Sequence, residues 1–114
     1  MKPPTVAEVV AAAVEITRVP EECIRGDYRH TQAVAARRAT VVVIHTLTYL
    51  SFPQIAKQLR GREAAHSTMH RDYDAGMTDP AVLDMAHQIE RRLREIGGKV
   101  AAGKAARMLS RRAS

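Results

Sequence analysis

The chain has 114 residues, which is enough for one domain and leaves no room for a second core. Apolar residues make up 46% of it, charged residues 26%, and the formal net charge is +6, which excludes a disordered chain and predicts a folded basic domain. A single cysteine excludes an internal disulfide, and the apolar runs are too short for a membrane span. With no signal-peptide pattern at the start, we expect a cytoplasmic protein.

The positive charge is concentrated in two segments of the chain. Residues 25–71 contain eight Lys and Arg against two acidic residues, and residues 97–114 contain five Lys and Arg and no acidic residue. The remaining residues are acidic overall. Such basic segments indicate an anionic partner such as nucleic acid, although a merely solubilising surface would have the same composition.

The first part of the chain predicts two helices and a basic loop. Two prolines make residues 1–4 an extended leader, and Thr5 with Glu8 forms the capping-box pattern that begins a helix. Pro20 suits the first turn of a short second helix at Glu21–Arg25, which Gly26 ends. Residues 26–31 then form a polar, basic loop.

The middle of the chain predicts one long helix and one short one. Residues 32–50 are rich in apolar side chains without a turn signal, which favours a buried helix, although the run Val41–Ile44 alone is also typical of a strand. Ser51 and Gln54 form a second capping box. It begins a short helix over residues 52–59.

Two further helices are predicted after the turn at residues 60–63. The first extends from Ala64 to about Tyr73, and Gly76 marks its end. The second begins after Asp79, shows an apolar stripe at helical spacing through residue 96, and is expected to stop at Gly97 and Gly98. Residues 98–114 form an alanine-rich basic tail. We therefore predict an all-α fold, a small helical bundle with an additional amphipathic C-terminal helix over residues 79–97.

The segment 51–73 has the layout of a helix-turn-helix motif. A capped short helix is followed by a glycine-containing turn and by a second helix with a polar face. In DNA-binding proteins of this type the second helix enters the major groove, where Ser, Thr and His side chains bond base edges and basic residues of the turn hold phosphates. The motif therefore predicts that the following residues contact DNA: Arg60, Arg62, His66, Ser67, Thr68, His70 and Arg71.

Residues 5–78 resemble the C-terminal, Trp-repressor-like DNA-binding domain of the bacterial replication initiator DnaA. The stretch Leu47-Thr48-x-x-Ser51-Phe52-Pro53-Gln54-Ile55 is similar to the family's LT-x-x-SLPEI. Gly61-Arg62-Glu63 is similar to its GRD, and His66-Ser67-Thr68-Met69 to its HTTV. The initiator's ATPase module has no counterpart in this sequence. Two residues, Ala64 and Ala65, separate the last two motifs, so the surface that reads DNA differs from that of the family.

The resemblance implies a role for several individual residues. It implies that Arg29 enters the minor groove and that Arg37, Phe52 and Pro53 contact the DNA backbone. It also implies that Glu63, His66, Ser67 and Thr68 read bases in the major groove. His45 stands where the family has a lysine that contacts phosphate. These roles imply a bacterial protein that is associated with the nucleoid.

These observations predict a sequence-specific binder of double-stranded DNA that regulates transcription or replication initiation and inserts helix 64–74 in the major groove. Other functions remain open: a protein-interaction or oligomerisation module, including a homodimer through residues 80–96, or a small phage DNA-packaging subunit. No convergent catalytic set is present, so we expect neither an enzyme nor a cofactor. His66 and His70 are four residues apart, yet no carboxylate is placed like that of a metalloprotease helix, so we expect no metal.

Overall fold

The computed structural model describes residues 3–26, 28–61 and 66–100, and of residues 66 and 97–100 only the backbone. Within these ranges the chain is all-helical and forms six helices. They are α1 (Val6–Thr17), α2 (Glu21–Arg25), α3 (Thr31–Leu47), α4 (Phe52–Arg60), α5 (His66–Met77) and α6 (Pro80–Val100). The prediction of an all-α bundle is confirmed. No helix of this described part is both long and apolar enough to cross a bilayer.

The central helix of the bundle is α3, which packs against all the other helices. The run Val41–Ile44 is fully helical and buried. β-Branched residues lower helix propensity slightly, but burial on all sides of this helix outweighs that cost. The alternative of a strand is therefore wrong. Thr40 is buried in the same segment and donates its hydroxyl proton to the carbonyl oxygen of Ala36, which satisfies the hydroxyl inside the core.

Side chains that cap the helix starts behave as the sequence predicts. Thr5 and Glu8 form a reciprocal capping box at α1, and Ser51 and Gln54 form another at α4. Asp79 accepts a hydrogen bond from the backbone N–H of Ala81 and so caps α6. Each cap supplies a partner for backbone N–H groups that the helix itself leaves without one.

Helix ends differ from the predictions at the glycines. Helix α5 continues through Gly76 to Met77, and α6 continues through Gly97 and Gly98 to Val100. Gly76 is buried between helices, where a Cβ atom would lie 2.8 Å from Cγ2 of Val42. It is therefore a point of close helix approach and not a helix end. The predicted helix residues Ala64 and Ala65 lie outside the described residues.

The apolar stripe of α6 is part of the main core. Val82, Ala86 and Ile89 are buried, and Leu83, Met85 and Leu93 pack partly buried against the same cluster. This face lies against α1 and α3, with a smaller contact to α5. The additional C-terminal helix thus completes the bundle. A homodimer that uses this same stripe would have to displace contacts made within the chain.

Candidate nucleic-acid interface

The outer face of α5 is polar and exposed, while its inner face is fixed to the core. Met69 is fully buried on the inner side, and Tyr73 is half-buried beside it. Met69 therefore anchors α5 to the core completely, and Tyr73 does so in part. The exposed side chains of the first three turns face outward: Ser67, Thr68, His70, Arg71 and Asp74. Four of these are predicted DNA contacts, and Asp74 is an addition.

Helix α4 packs against α5 and begins with a closed capping box. The backbone N–H of Gln54 donates to Oγ of Ser51 at 3.4 Å, and Oε1 of Gln54 accepts from the N–H of Ser51 at 2.8 Å. Pro53 has no N–H to offer. In the first turn of α4 this leaves at most the N–H of Phe52 for a phosphate. Pro53 itself is exposed.

An aromatic cluster holds α3, α4 and α5 together. The ring of His45 stacks on Phe52 with centroids 4.6 Å apart and planes within 7°, and it meets Tyr73 edge-on at 4.5 Å. His70 meets Phe52 edge-on at 4.9 Å. Aromatic pairs in these arrangements add about 0.5–1.5 kcal/mol beyond area burial. The cluster therefore sets how the two helices of the motif lie against the core.

His45 is half-buried at the centre of this cluster. Its Nδ1 atom is buried and finds no hydrogen-bond partner within residues 3–26, 28–61 and 66–100. The ring is held between Phe52 and Tyr73 instead of extending into solvent. The structure thus gives His45 a packing role, and the phosphate contact implied by the lysine of the initiator family stays a prediction.

Arg37 is a buried structural residue and not an exposed one. Only 7% of it is accessible. Its Nε donates to the carbonyl oxygen of Ile24 at 3.0 Å, and its Nη2 donates to those of Cys23 at 2.8 Å and Tyr28 at 2.9 Å. Burial lowers the pKa of this guanidinium, against the opposing effects of Asp72 and of Cys23. The implied backbone contact of Arg37 is therefore corrected, since the side chain clamps the segment before α3.

Arg29 and Arg38 lie on the solvent side of the same region. Arg29 is exposed, as its implied role requires, and both arginines line a shallow cleft that Asp79 also borders. Nε of Arg38 is 4.0 Å from Oδ1 of the buried Asp72 on α5. Burial raises the pKa of Asp72, while nearby arginines, with Arg37 first among them, oppose that rise.

Two basic residues that the predictions did not include support the motif. Lys57 is exposed on α4 and adds positive charge beside the predicted contacts. A basic residue on the outer face of a predicted helix could have indicated this contact from the sequence. Arg25 donates Nη1 to the carbonyl oxygens of Gln58 at 2.9 Å and Leu59 at 3.4 Å. It thereby caps the C-terminal end of α4 from α2. No local sequence pattern predicts that contact.

The remaining predicted residues divide into two groups. Arg60 is half-buried at the end of α4, and Phe52 is half-buried in the aromatic cluster. Arg62, Glu63 and the side chain of His66 lie outside the described residues. Among the described residues, His, Cys, Asp and Glu side chains form no group of three that would hold a metal ion.

The sequence matches no protein-family model, and a search of curated proteins finds no match to it either. The resemblance to the initiator's DNA-binding domain therefore rests on the motifs of residues 47–55, 61–63 and 66–69.

Proposed function

We propose that this protein binds double-stranded DNA in a sequence-specific manner and regulates transcription or replication initiation. The observation that carries the proposal is the division of α5 into two faces. Met69 and Asp72 face the core, while Ser67, Thr68 and Arg71 face solvent. An exposed polar face on the second helix of a helix-turn-helix is the arrangement that reads the major groove.

Charge supports the same proposal. Lys57 and Arg71 are exposed on the two helices of the motif, and Arg29 is exposed in the loop before α3. Phosphate contacts by such residues supply most of the affinity for DNA without regard to sequence. We assign base reading to α5 and a flanking minor-groove contact to Arg29.

A module for protein interaction through residues 80–96 receives less support. That proposal depends on a free apolar stripe, whereas Val82, Ala86 and Ile89 are buried within the chain. The exposed residues of α6, such as His87, Gln88 and Arg91, are polar. A phage DNA-packaging role would also use the DNA-binding motif, and nothing in the geometry favours it over regulation.

The proposal is tested by selecting bound duplexes from a randomised pool with the full chain. We expect one recurrent motif, and on that motif Ser67→Ala or Thr68→Ala should lose about 1–3 kcal/mol of binding free energy in fluorescence anisotropy. On random duplexes the loss should be small. Gln88→Ala, an exposed polar change on α6, is the matched control and should bind as the wild type does.

Two results would overturn the proposal. The first is selection that enriches no motif. The second is an equal loss for Ser67→Ala on the selected and the random duplexes, because base reading must discriminate between them.

A further inference from the structure

A histidine and a carboxylate lie together on the exposed side of α5, where base reading is proposed. Nδ1 of His70 lies 3.2 Å from Oδ2 of Asp74, one helical turn further along. Both side chains are about three-fifths exposed, at 61% for His70 and 62% for Asp74. At 3.6 residues per turn, Asp74 falls nearly opposite the buried positions Met69, Asp72 and Gly76, whereas His70 falls on the flank of the helix, toward Phe52 of α4. The pair therefore lies on the exposed side of α5, with Asp74 pointing away from the core and His70 next to α4.

The neighbours of His70 fix its ring on two sides. Asp74 holds Nδ1, and Phe52 of α4 lies edge-on to the ring at 4.9 Å with the planes 71° apart. A side chain that contacts a carboxylate on one side and an aromatic ring on the other loses less freedom when it binds a base than an unrestrained one does. The ring is thus preorganised with its second nitrogen available to a ligand.

The carboxylate also determines which hydrogen bonds the ring can form. A neutral imidazole has one N–H donor and one acceptor nitrogen, and the bond made by one nitrogen sets the character of the other. An ionised carboxylate accepts hydrogen bonds and donates none. The Nδ1 atom that faces Asp74 therefore carries the hydrogen, and Nε2 is the acceptor.

We infer that Asp74 is a positioning residue that makes His70 select a base presenting a hydrogen-bond donor in the major groove. Only cytosine, through its N4 amino group, and adenine, through its N6 amino group, do so; guanine and thymine present acceptors there. This inference rests on the proposed function, because it assigns a base class to one position of the same reading face. It adds a specificity rule that the proposal alone does not contain.

The test compares duplex selection for the wild type and for Asp74→Lys at about pH 8, where free imidazole is neutral. A lysine ammonium donates and cannot accept, so it reverses the tautomer and makes Nε2 a donor. We expect the wild type to prefer cytosine or adenine at one position of its motif by roughly three- to tenfold. Asp74→Lys should disfavour cytosine, the one base without a hydrogen-bond acceptor in the major groove, and favour guanine or thymine by a similar factor.

Three further variants separate this role from other effects. Asp74→Glu keeps a carboxylate one turn from His70 and should retain the wild-type preference. Asp84→Lys makes the same charge change at an exposed position of α6 and should strengthen binding to all duplexes without changing the motif. His70→Ala/Asp74→Lys removes the ring, and the guanine or thymine preference should disappear with it.

Each failure has a separate meaning. If the wild type selects no motif, the proposed function fails and this inference fails with it. If the wild type selects a motif that Asp74→Lys leaves unchanged, only this inference is wrong. A fourth variant, His70→Ala, tests the ring alone. The inference is also wrong if the cytosine or adenine preference persists in it, because Asp74 would then accept from the base itself. Persistence of the guanine preference in the double variant would assign it to the lysine and overturn the inference.

Discussion

Three arginines around the start of α3 have different surroundings despite their closeness in sequence. Arg29 is exposed, Arg38 lies near the buried carboxylate of Asp72, and Arg37 is buried with three backbone carbonyls as partners. Arg37 shares the inner face of α3 with Ala33 and Thr40. Its position in the helix thus decides its role, and charge alone does not.

Removal of Arg37 should affect stability, whereas removal of Arg29 should affect binding. Arg37→Ala leaves the carbonyl oxygens of Cys23, Ile24 and Tyr28 without their donor, so we expect a loss of about 3 kcal/mol in the free energy of unfolding, measured by urea denaturation. Arg29→Ala should change stability by less than about 0.5 kcal/mol and weaken binding to duplexes with A·T-rich flanks. An Arg37→Ala protein of wild-type stability would contradict the clamp.

At the scale of helices, the sequence predicts starts better than ends. The capping boxes of α1 and α4 depend on residues three apart, so a local pattern contains the whole interaction. Whether α5 continues through Gly76 depends on what packs beside that glycine, which no local pattern contains. Glycine costs a helix only about 1 kcal/mol relative to alanine, so tertiary contacts decide whether the helix continues.

One part of the candidate site follows from local sequence patterns, and another part does not. The outer face of α5 follows from helical periodicity, and Ser67, Thr68, His70 and Arg71 are exposed as expected. The positions of Arg37 and His45 depend on helices far apart in sequence. His45 meets Phe52 and Tyr73 only once α3, α4 and α5 have assembled. A resemblance that assigns roles by position does not include that packing.

Gly76 offers a test of close helix packing. An added Cβ would lie 2.8 Å from Cγ2 of Val42 and 3.3 Å from both the carbonyl oxygen of Arg38 and Cγ1 of Val82. We expect Gly76→Ala to lower the free energy of unfolding by about 1–2 kcal/mol, because overpacking outweighs the better helix propensity of alanine. Val42→Ala removes the nearest methyl groups. The double variant should therefore be more stable than the sum of both single losses predicts. If the two losses in the free energy of unfolding simply add, Val42 is not the side chain with which the added methyl group collides.

For DNA binding by the whole molecule, the positions of the charged residues matter more than the net charge. Of the basic residues in segment 25–71, Lys57 and Arg71 are exposed on the two helices of the proposed motif, whereas Arg25 and Arg37 hold the fold together. On α1 and α6, Glu15 pairs with Arg92, which joins these two helices at the surface. Among the five basic residues of segment 97–114, Lys99 belongs to α6, and the other four lie beyond the described residues.

The five basic residues of segment 97–114 should add affinity for DNA without adding sequence preference. We predict that replacing Lys99, Lys104, Arg107, Arg111 and Arg112 by Gln weakens binding to all duplexes and leaves the selected motif unchanged. For every phosphate that a replaced side chain had neutralised, the slope of log K against log salt should become shallower by about 0.9. Anisotropy titrations at several salt concentrations measure that slope.

Arg91→Gln/Arg94→Gln, at exposed positions of α6, is the control for removal of positive charge within the bundle. If the five-residue variant retains the wild-type slope, these residues do not bind phosphates and the affinity belongs to the bundle alone.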